Sequence, residues 1–177
     1  MASGTAICSP LLNAILSGCT DKKAEKTVDV ASSIFNGQQQ KLIRLITDTI
    51  LPKTESPSAS EVGVDQTIIS VVDEVYTKED RETYKKGFKL LEVFLTENGF
   101  LESDVEQREN SLRQLESTTD LVSSETRNTY LHLKQQTIAF YLSTEEIAKK
   151  ELNYLPVPGE YQPCIPLSET GGKAWAI

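Results

Sequence analysis

Three pairs of adjacent acidic residues are the first candidates for general acid–base chemistry: Asp73-Glu74, Glu79-Asp80 and Glu145-Glu146. Such chemistry needs two carboxyl groups that converge in a shielded cleft and have separated pKa values. Neighbouring residues on an α-helix point about 100° apart, so the members of each pair diverge. We therefore interpret these pairs as solvated helix faces and helix caps.

Nucleophilic and metal chemistry have few candidates. The only histidine, His132, lies between Leu131 and Leu133 in a predicted helix, without a serine or cysteine in a catalytic motif around it. Cys164 lies in a proline-rich stretch with no basic residue nearby to lower its thiol pKa, so packing or partner contact is favoured. Phosphate-loop, GxSxG, HExxH and CxxCH motifs are absent. We predict no catalytic, cofactor-binding or metal-binding residue in this chain.

The N-terminal stretch suggests covalent lipidation. Residues 1–19 carry no charge, and the segment Leu16-Ser17-Gly18-Cys19 is similar to a bacterial lipobox, in which the Cys19 thiol accepts the lipid. A signal peptide opens with a positive region, which this stretch lacks, so we interpret it as part of a longer signal. The alternative is a short apolar helix packed on the domain, with Cys19 as a buried thiol.

Composition excludes two classes of function. The chain has 177 residues, with 26 acidic and 18 basic side chains and a net charge of −8. Nucleic-acid binding needs clustered Lys and Arg to displace counterions, and no such cluster is present. No apolar run approaches the roughly 20 residues of a membrane-spanning helix.

Apolar residues at helical spacing predict an all-α domain of about five to six helices over residues 38–153, preceded by a polar tether at 20–37. The clearest apolar stripe comprises Tyr84, Phe88, Leu91 and Leu95, and a second includes Ile68, Ile69, Val72, Val75 and Tyr76. Thr77 is the predicted N-cap of the helix that carries the first stripe, and Asn98-Gly99 its end.

Two sequences of the capping-box type predict the start of later helices. They are Ser103-x-x-Glu106 and Ser143-x-x-Glu146.

The C-terminal tail, 154–177, contains four prolines and is predicted to be extended. Its aromatic residues are Tyr154, Tyr161 and Trp175. Tyr and Trp are common interface anchors. Two arrangements remain open: the tail packs on its own helices, or it lies along a partner.

Three segments resemble the small subunit, subunit 3, of the gluconate 2-dehydrogenase family. They are DTILPKTESP at 48–57 with a following Val-Gly-Val, FYLSTEE at 140–146 and LNYLPVPGEYQPC at 152–164. The last is the most specific, and the resemblance spans roughly residues 38–166.

The resemblance implies a partner: a large flavoprotein of the glucose–methanol–choline oxidoreductase type, often with a cytochrome c subunit. The partner would hold FAD and oxidise a sugar, sugar acid or polyol. Small subunits of this family often carry a twin-arginine signal and are thought to accompany the folded flavoprotein across the membrane and to stabilise it. This sequence lacks the arginine pair, and the lipobox-like segment at Cys19 suggests anchoring through lipid instead of through a cytochrome.

The sequence thus indicates a non-catalytic small subunit that is periplasmic and membrane-anchored in a bacterium. The predicted partner contacts are Tyr154, Pro156, Pro158, Gly159, Tyr161 and Trp175. One alternative is a free-standing lipoprotein scaffold or binding module without an enzyme partner. An enzyme in its own right, with a pocket around His132 or a converged carboxylate pair, ranks last.

Overall fold

A computed structural model describes residues 33–117, 122–155, 157, 159–160 and 164–176. The helices are α1 (Gly37–Ile50), α2 (Val64–Ser70), α3 (Lys78–Glu97), α4 (Val105–Ser117), α5 (Ser124–Ser143) and α6 (Glu145–Lys150). A π-helical turn, Val71–Val75, extends α2, and a 3₁₀ turn, Leu167–Thr170, follows the last helix. These ranges contain no strand, only one isolated β-bridge. The predicted all-α fold with a single domain is confirmed.

Four predicted site residues lie outside the described residues: Cys19, Pro156, Pro158 and Tyr161. The signal segment 1–19 lies outside them too.

The first helix begins with a capping box that also anchors the preceding residues. The Gln39 backbone N–H donates to Asn36 Oδ1 at 2.9 Å, and the Asn36 N–H donates to Gln39 Oε1 at 3.1 Å. Just before the cap, Phe35 is 1% exposed, and the Ile34 N–H donates to Asp73 Oδ1 at 3.0 Å. The last residues of the predicted tether therefore pack with the helices.

The apolar stripe of α3 forms the centre of the core. Tyr84, Phe88, Leu91 and Leu95 are all buried, as predicted. The Phe88 ring meets that of Phe35 edge to face, with centroids 5.2 Å apart. Edge-to-face packing is favourable because the positive edge of one ring faces the negative face of the other.

The ends of α3 are also as predicted. Thr77 is the N-cap, with its hydroxyl accepting from the Asp80 N–H at 3.1 Å. Asn98 is the C-cap, and Gly99 follows with φ 69°, a left-handed conformation that glycine adopts without strain.

A glycine lets α3 and α5 approach each other closely. A Cβ built on Gly87 would clash with Thr129 Oγ1. Gly87 is buried in the middle of α3, where glycine costs helix stability relative to alanine. Close approach of the two helices explains why this cost is tolerated.

Two local predictions are wrong. The capping box of α4 is formed by Asp104 and Gln107, since the Gln107 N–H donates to Asp104 Oδ1 at 2.8 Å and the Asp104 N–H to Gln107 Oε1 at 3.3 Å. Ser103 instead donates to the Gly99 carbonyl. At α6, the N-cap is Thr144, whose hydroxyl donates to the Tyr141 carbonyl and makes no side-chain cap. The predicted cap, Ser143, bonds back to the Phe140 carbonyl within α5.

Val75, predicted to belong to the apolar stripe of α2, is 71% exposed. The Tyr76 N–H donates to the Val71 carbonyl at 3.2 Å, a bond five residues back. This π-type bond widens the last turn and shifts the following side chains relative to an α-helix. Val75 therefore turns to the surface, whereas Tyr76 is half-buried.

Among the residues described, no helix has the length and apolar character needed to cross a bilayer.

Candidate functional site

The C-terminal residues return to the end of α6, where one asparagine holds them. The Asn153 N–H donates to the Ala174 carbonyl at 2.7 Å, and the Ala176 N–H donates to the Asn153 carbonyl at 3.0 Å. These two bonds pair Asn153 with Trp175 in a parallel bridge. Residues 154–174 are thereby closed into a loop, which we call the C-terminal loop.

The side chain of Asn153 adds two further bonds to this closure. Its Nδ2 group donates to the Thr170 carbonyl at 2.9 Å and to the Lys173 carbonyl at 2.8 Å. Between these carbonyls, Gly171 and Gly172 have φ of 61° and 79°, so both need the left-handed conformation that glycine tolerates. Asn153 thus acts as a clasp, and the two glycines make the turn that reaches it.

The loop displays its apolar side chains to solvent. Among its described residues and the adjoining Trp175, the exposed large apolar side chains are Tyr154, Leu155, Val157, Leu167 and Trp175. Val157 is 80% exposed, Leu167 70% and Trp175 52%. Gly159 and Cys164 are exposed as well. The sequence analysis named Tyr154, Gly159 and Trp175 but missed Leu155, Val157 and Leu167, whose signal was an apolar side chain in a proline-rich stretch.

Two of the three acidic pairs make contacts within their own helix, whereas Asp73 of the third accepts from the distant Ile34 N–H. Glu145 and Glu146 form i,i+4 ion pairs with Lys149 and Lys150 on α6. Asp80 accepts from the Thr77 hydroxyl at 2.7 Å in the first turn of α3. Within the described ranges, no group of three or more His, Cys, Asp or Glu side chains could hold a metal ion.

His132 borders a groove between the start of α3 and the first half of α5. The groove has a volume of about 630 Å³, a size common for ligand sites. We call it the aromatic groove; it is lined by Tyr76, Asp80, Thr83, Tyr84, Ser124, Glu125, Asn128, Thr129 and His132.

A chain of hydrogen bonds fixes the rings of this groove. The buried Tyr84 hydroxyl donates to Gln136 Oε1 at 3.2 Å, and Gln136 Nε2 donates to the Tyr76 hydroxyl oxygen at 3.0 Å. The Tyr76 hydroxyl lies 3.2 Å from His132 Nε2. Because the Tyr76 oxygen accepts from Gln136, its own O–H is available to donate to His132. Sequence reasoning found His132 but not its partners, which are distant in the chain.

Burial and charge keep the hydroxyls of Tyr76 and Tyr84 protonated. Burial raises the pKa of Tyr84 well above its usual range, and the neighbouring Tyr76 adds to this. Burial also raises the pKa of Tyr76, with a further contribution from the negative charge of Asp80. Both hydroxyls therefore act as hydrogen-bonding groups, not as bases, at physiological pH.

A second polar cluster joins α4 to α5. Glu116 accepts from Lys134 Nζ at 2.7 Å and from the Tyr130 hydroxyl at 2.8 Å. The bond from Lys134 is the largest effect holding the pKa of Glu116 below its usual value. Burial, followed by the contact with Glu116, raises the pKa of Tyr130. This arrangement is a satisfied inter-helix tie and does not have the geometry of an acid–base pair.

By its fold, the protein is a small all-helical domain that presents a loop with exposed apolar side chains. Residues 37–159 match the family model described as gluconate 2-dehydrogenase subunit 3. Since the match covers more than half of the chain, the protein belongs to this family, and the resemblance seen in the sequence is confirmed. The family name indicates a subunit of a dehydrogenase complex. Searches of curated proteins and of solved structures give no match.

Proposed function

We propose that this chain is the non-catalytic small subunit of a bacterial periplasmic dehydrogenase complex. Its partner is a large FAD-containing flavoprotein that oxidises a sugar, sugar acid or polyol, in some complexes together with a cytochrome c subunit. The small subunit stabilises the flavoprotein, takes part in its export and tethers it to the membrane through lipid on Cys19. Family membership supports the partner class.

The observation that carries the proposal is the clasped C-terminal loop. A loop held at Asn153 by four hydrogen bonds exposes four large apolar side chains among its described residues, and the adjoining Trp175 exposes a fifth. Exposed apolar patches on a domain with its own core are typical of interaction sites. Tyr and Trp side chains supply much of the binding energy in such sites, so Tyr154 and Trp175 are the proposed anchors.

The clasp explains how a proline-rich tail serves as a docking surface. Association is opposed by the entropy lost when loops and side chains become ordered. The Asn153 bonds and the 3₁₀ turn at Leu167–Thr170 hold the C-terminal end of the loop in place before the partner arrives. More of the apolar contact energy then remains for binding.

The helical core gives the subunit its stabilising role. A folded small subunit acts as a ligand of the flavoprotein. Any ligand that binds only the native form of a protein shifts the unfolding equilibrium of that protein toward the native form. The small subunit therefore stabilises the flavoprotein by binding its folded state, which is also the state that twin-arginine export requires.

The test is purification of the tagged full-length chain from native membranes, with a flavin spectrum and mass spectrometry of co-purifying proteins. We expect a flavoprotein in stoichiometric amount, with flavin absorbance that tracks it through size-exclusion chromatography. Recovery of the chain alone, without flavin, would overturn the proposal and favour a free-standing lipoprotein scaffold.

A further inference from the structure

The aromatic groove has features that the C-terminal loop does not explain. Its lining combines two carboxylates, Asp80 and Glu125, with the rings of Tyr76, Tyr84 and His132. The described residues that line it include no Lys or Arg. Carboxylates and π surfaces both attract cations, and a cation held near an aromatic face is favoured more strongly when it is partly desolvated.

The hydrogen-bond chain from the core determines which parts of the rings are available to a ligand. The Tyr76 hydroxyl already interacts with Gln136 and His132, so the ring of Tyr76, which lines the groove, is the part left to contact a ligand. The Tyr76 and His132 rings lie nearly parallel, 11° apart, with centroids separated by 6.3 Å. Tyr84 meets both of them edge-on. The rings are thus fixed in position before any ligand binds.

The two carboxylates of the groove, Asp80 and Glu125, differ in their surroundings. Burial is the larger cause of the raised pKa of Tyr76, and the negative charge of Asp80 adds to it. Asp80 itself is held by the Thr77 hydroxyl, which donates to one of its oxygens at 2.7 Å and leaves the other for a second donor. Glu125 closes the groove from α5 and also borders Lys85 and Lys86 in the neighbouring shallow groove. Asp80 lines the aromatic groove but not that neighbouring groove, so it is the carboxylate chosen to test the site.

We infer that the aromatic groove binds a guanidinium group, namely an arginine side chain of a partner protein. A guanidinium is planar, so it packs flat against a ring face, and its forked donors match a carboxylate at its edge. An ammonium group has neither property and is more strongly hydrated. The inference extends beyond the proposed function, because it concerns another surface and does not depend on the identity of the partner.

The contact between Gly87 and Thr129 lies beside the groove. Thr129 lines the groove, and its hydroxyl donates to the Glu125 carbonyl at 2.9 Å, within α5. Close approach of α3 and α5 at Gly87 sets the distance between the wall that carries Asp80 and the wall that carries His132. The groove is therefore a product of the helix packing, and its shape persists without a ligand.

The test uses N-acetyl-arginine amide as the probe and the single histidine as the reporter. The full chain is labelled at histidine with ¹³C and ¹⁵N, so that His132 gives the only labelled ring signals. Titration with the probe should shift these signals in a saturable way. The uncharged isostere N-acetyl-citrulline amide should bind about tenfold more weakly or worse, which corresponds to about 1.4 kcal/mol. N-acetyl-lysine amide should also bind more weakly than the arginine probe.

Variants locate the site. Asp80→Asn keeps the acceptor that Thr77 uses but removes the charge, and should weaken arginine binding about tenfold. The control Glu97→Gln removes one exposed charge elsewhere on α3 and should leave binding unchanged. Absence of a saturable shift, equal binding of arginine and citrulline or of arginine and lysine, or full binding by Asp80→Asn would each overturn the inference. None of these results bears on the flavoprotein partner.

Discussion

Asn153, at the end of the last helix, pairs with Trp175 in a parallel bridge. The pairing brings the C-terminus back to the helical domain, although the loop between the two residues adds little to the core. All four bonds of Asn153 go to backbone groups between Thr170 and Ala176. The two ends of the loop are thus held together by one polar side chain and its backbone.

The clasp can be tested by Asn153→Ala. The change removes two side-chain bonds, each contributing about 0.5–1.5 kcal/mol, but leaves the helices intact. We expect unchanged helicity by circular dichroism and faster amide hydrogen exchange at residue 153 and Ala176, whose N–H groups donate the two backbone bonds of the clasp. The control Asn110→Ala changes an exposed asparagine on α4. Equal exchange in both variants would contradict the role of Asn153.

The contact between α3 and α5 predicts an unusual response to Gly87→Ala. In an open helix position, replacing glycine with alanine stabilises by up to about 1 kcal/mol. Here the new Cβ clashes with Thr129 Oγ1, and we expect a net loss of about 1–2 kcal/mol in the free energy of unfolding, measured with urea.

Two further variants separate the clash from other causes. Gly37→Ala places a Cβ in open space at the start of α1 and should not destabilise. Gly87→Ala combined with Thr129→Ala removes the clashing oxygen and should recover stability relative to Gly87→Ala alone. The comparison also needs Thr129→Ala alone. If the loss of stability in the double variant equals or exceeds the summed losses of the two single variants, the clash is not the cause.

Phe35 tests where the folded domain begins. Its ring is buried against Tyr84 and Phe88 of α3. Phe35→Ala should lower the free energy of unfolding by about 3–5 kcal/mol, the usual cost of removing a buried aromatic ring. Urea denaturation measures the loss. A change below about 0.5 kcal/mol, typical of exposed positions, would place residue 35 in a tether instead.

Glu116 predicts part of the acid sensitivity. The ordinary glutamate pKa is 4.5, and Lys134 lowers it in the folded state. A group with a depressed native pKa contributes stability above its unfolded pKa and loses it as the pH falls through the native value. Glu116→Gln should therefore flatten the pH dependence of stability below about pH 4.5, modestly because the side chain is partly solvated. The control Glu97→Gln should keep the wild-type slope.

Features that depend only on nearby residues, such as the apolar stripe and the N-cap of α3, were predicted from the sequence. The stripe from Tyr84 to Leu95 and the Thr77 cap lie within one helix, and each follows from spacing alone. The α4 cap was predicted one residue early, because Ser103-x-x-Glu106 and Asp104-x-x-Gln107 overlap and both fit a capping box. Bonds of Ser103 to the preceding turn decided between them.

Non-local contacts could not be predicted from the sequence. The Tyr76–His132 contact joins residues 56 positions apart, and Asn153 gives no sign of its pairing with Trp175. The π-type turn before Tyr76 moved Val75 out of the core. Contacts of this kind are set by how the helices pack, which spacing along one helix does not encode.

The central claim is that the clasped loop docks a flavoprotein. The most direct measurement compares flavoprotein recovery from native membranes for three tagged full-length chains: wild type, Leu167→Ala/Trp175→Ala and Val75→Ala/Val105→Ala. The last pair removes exposed apolar side chains outside the loop. We expect wild type and Val75→Ala/Val105→Ala to retain the flavoprotein. Recovery with Leu167→Ala/Trp175→Ala should fall at least about tenfold. Equal recovery by all three chains would contradict the account.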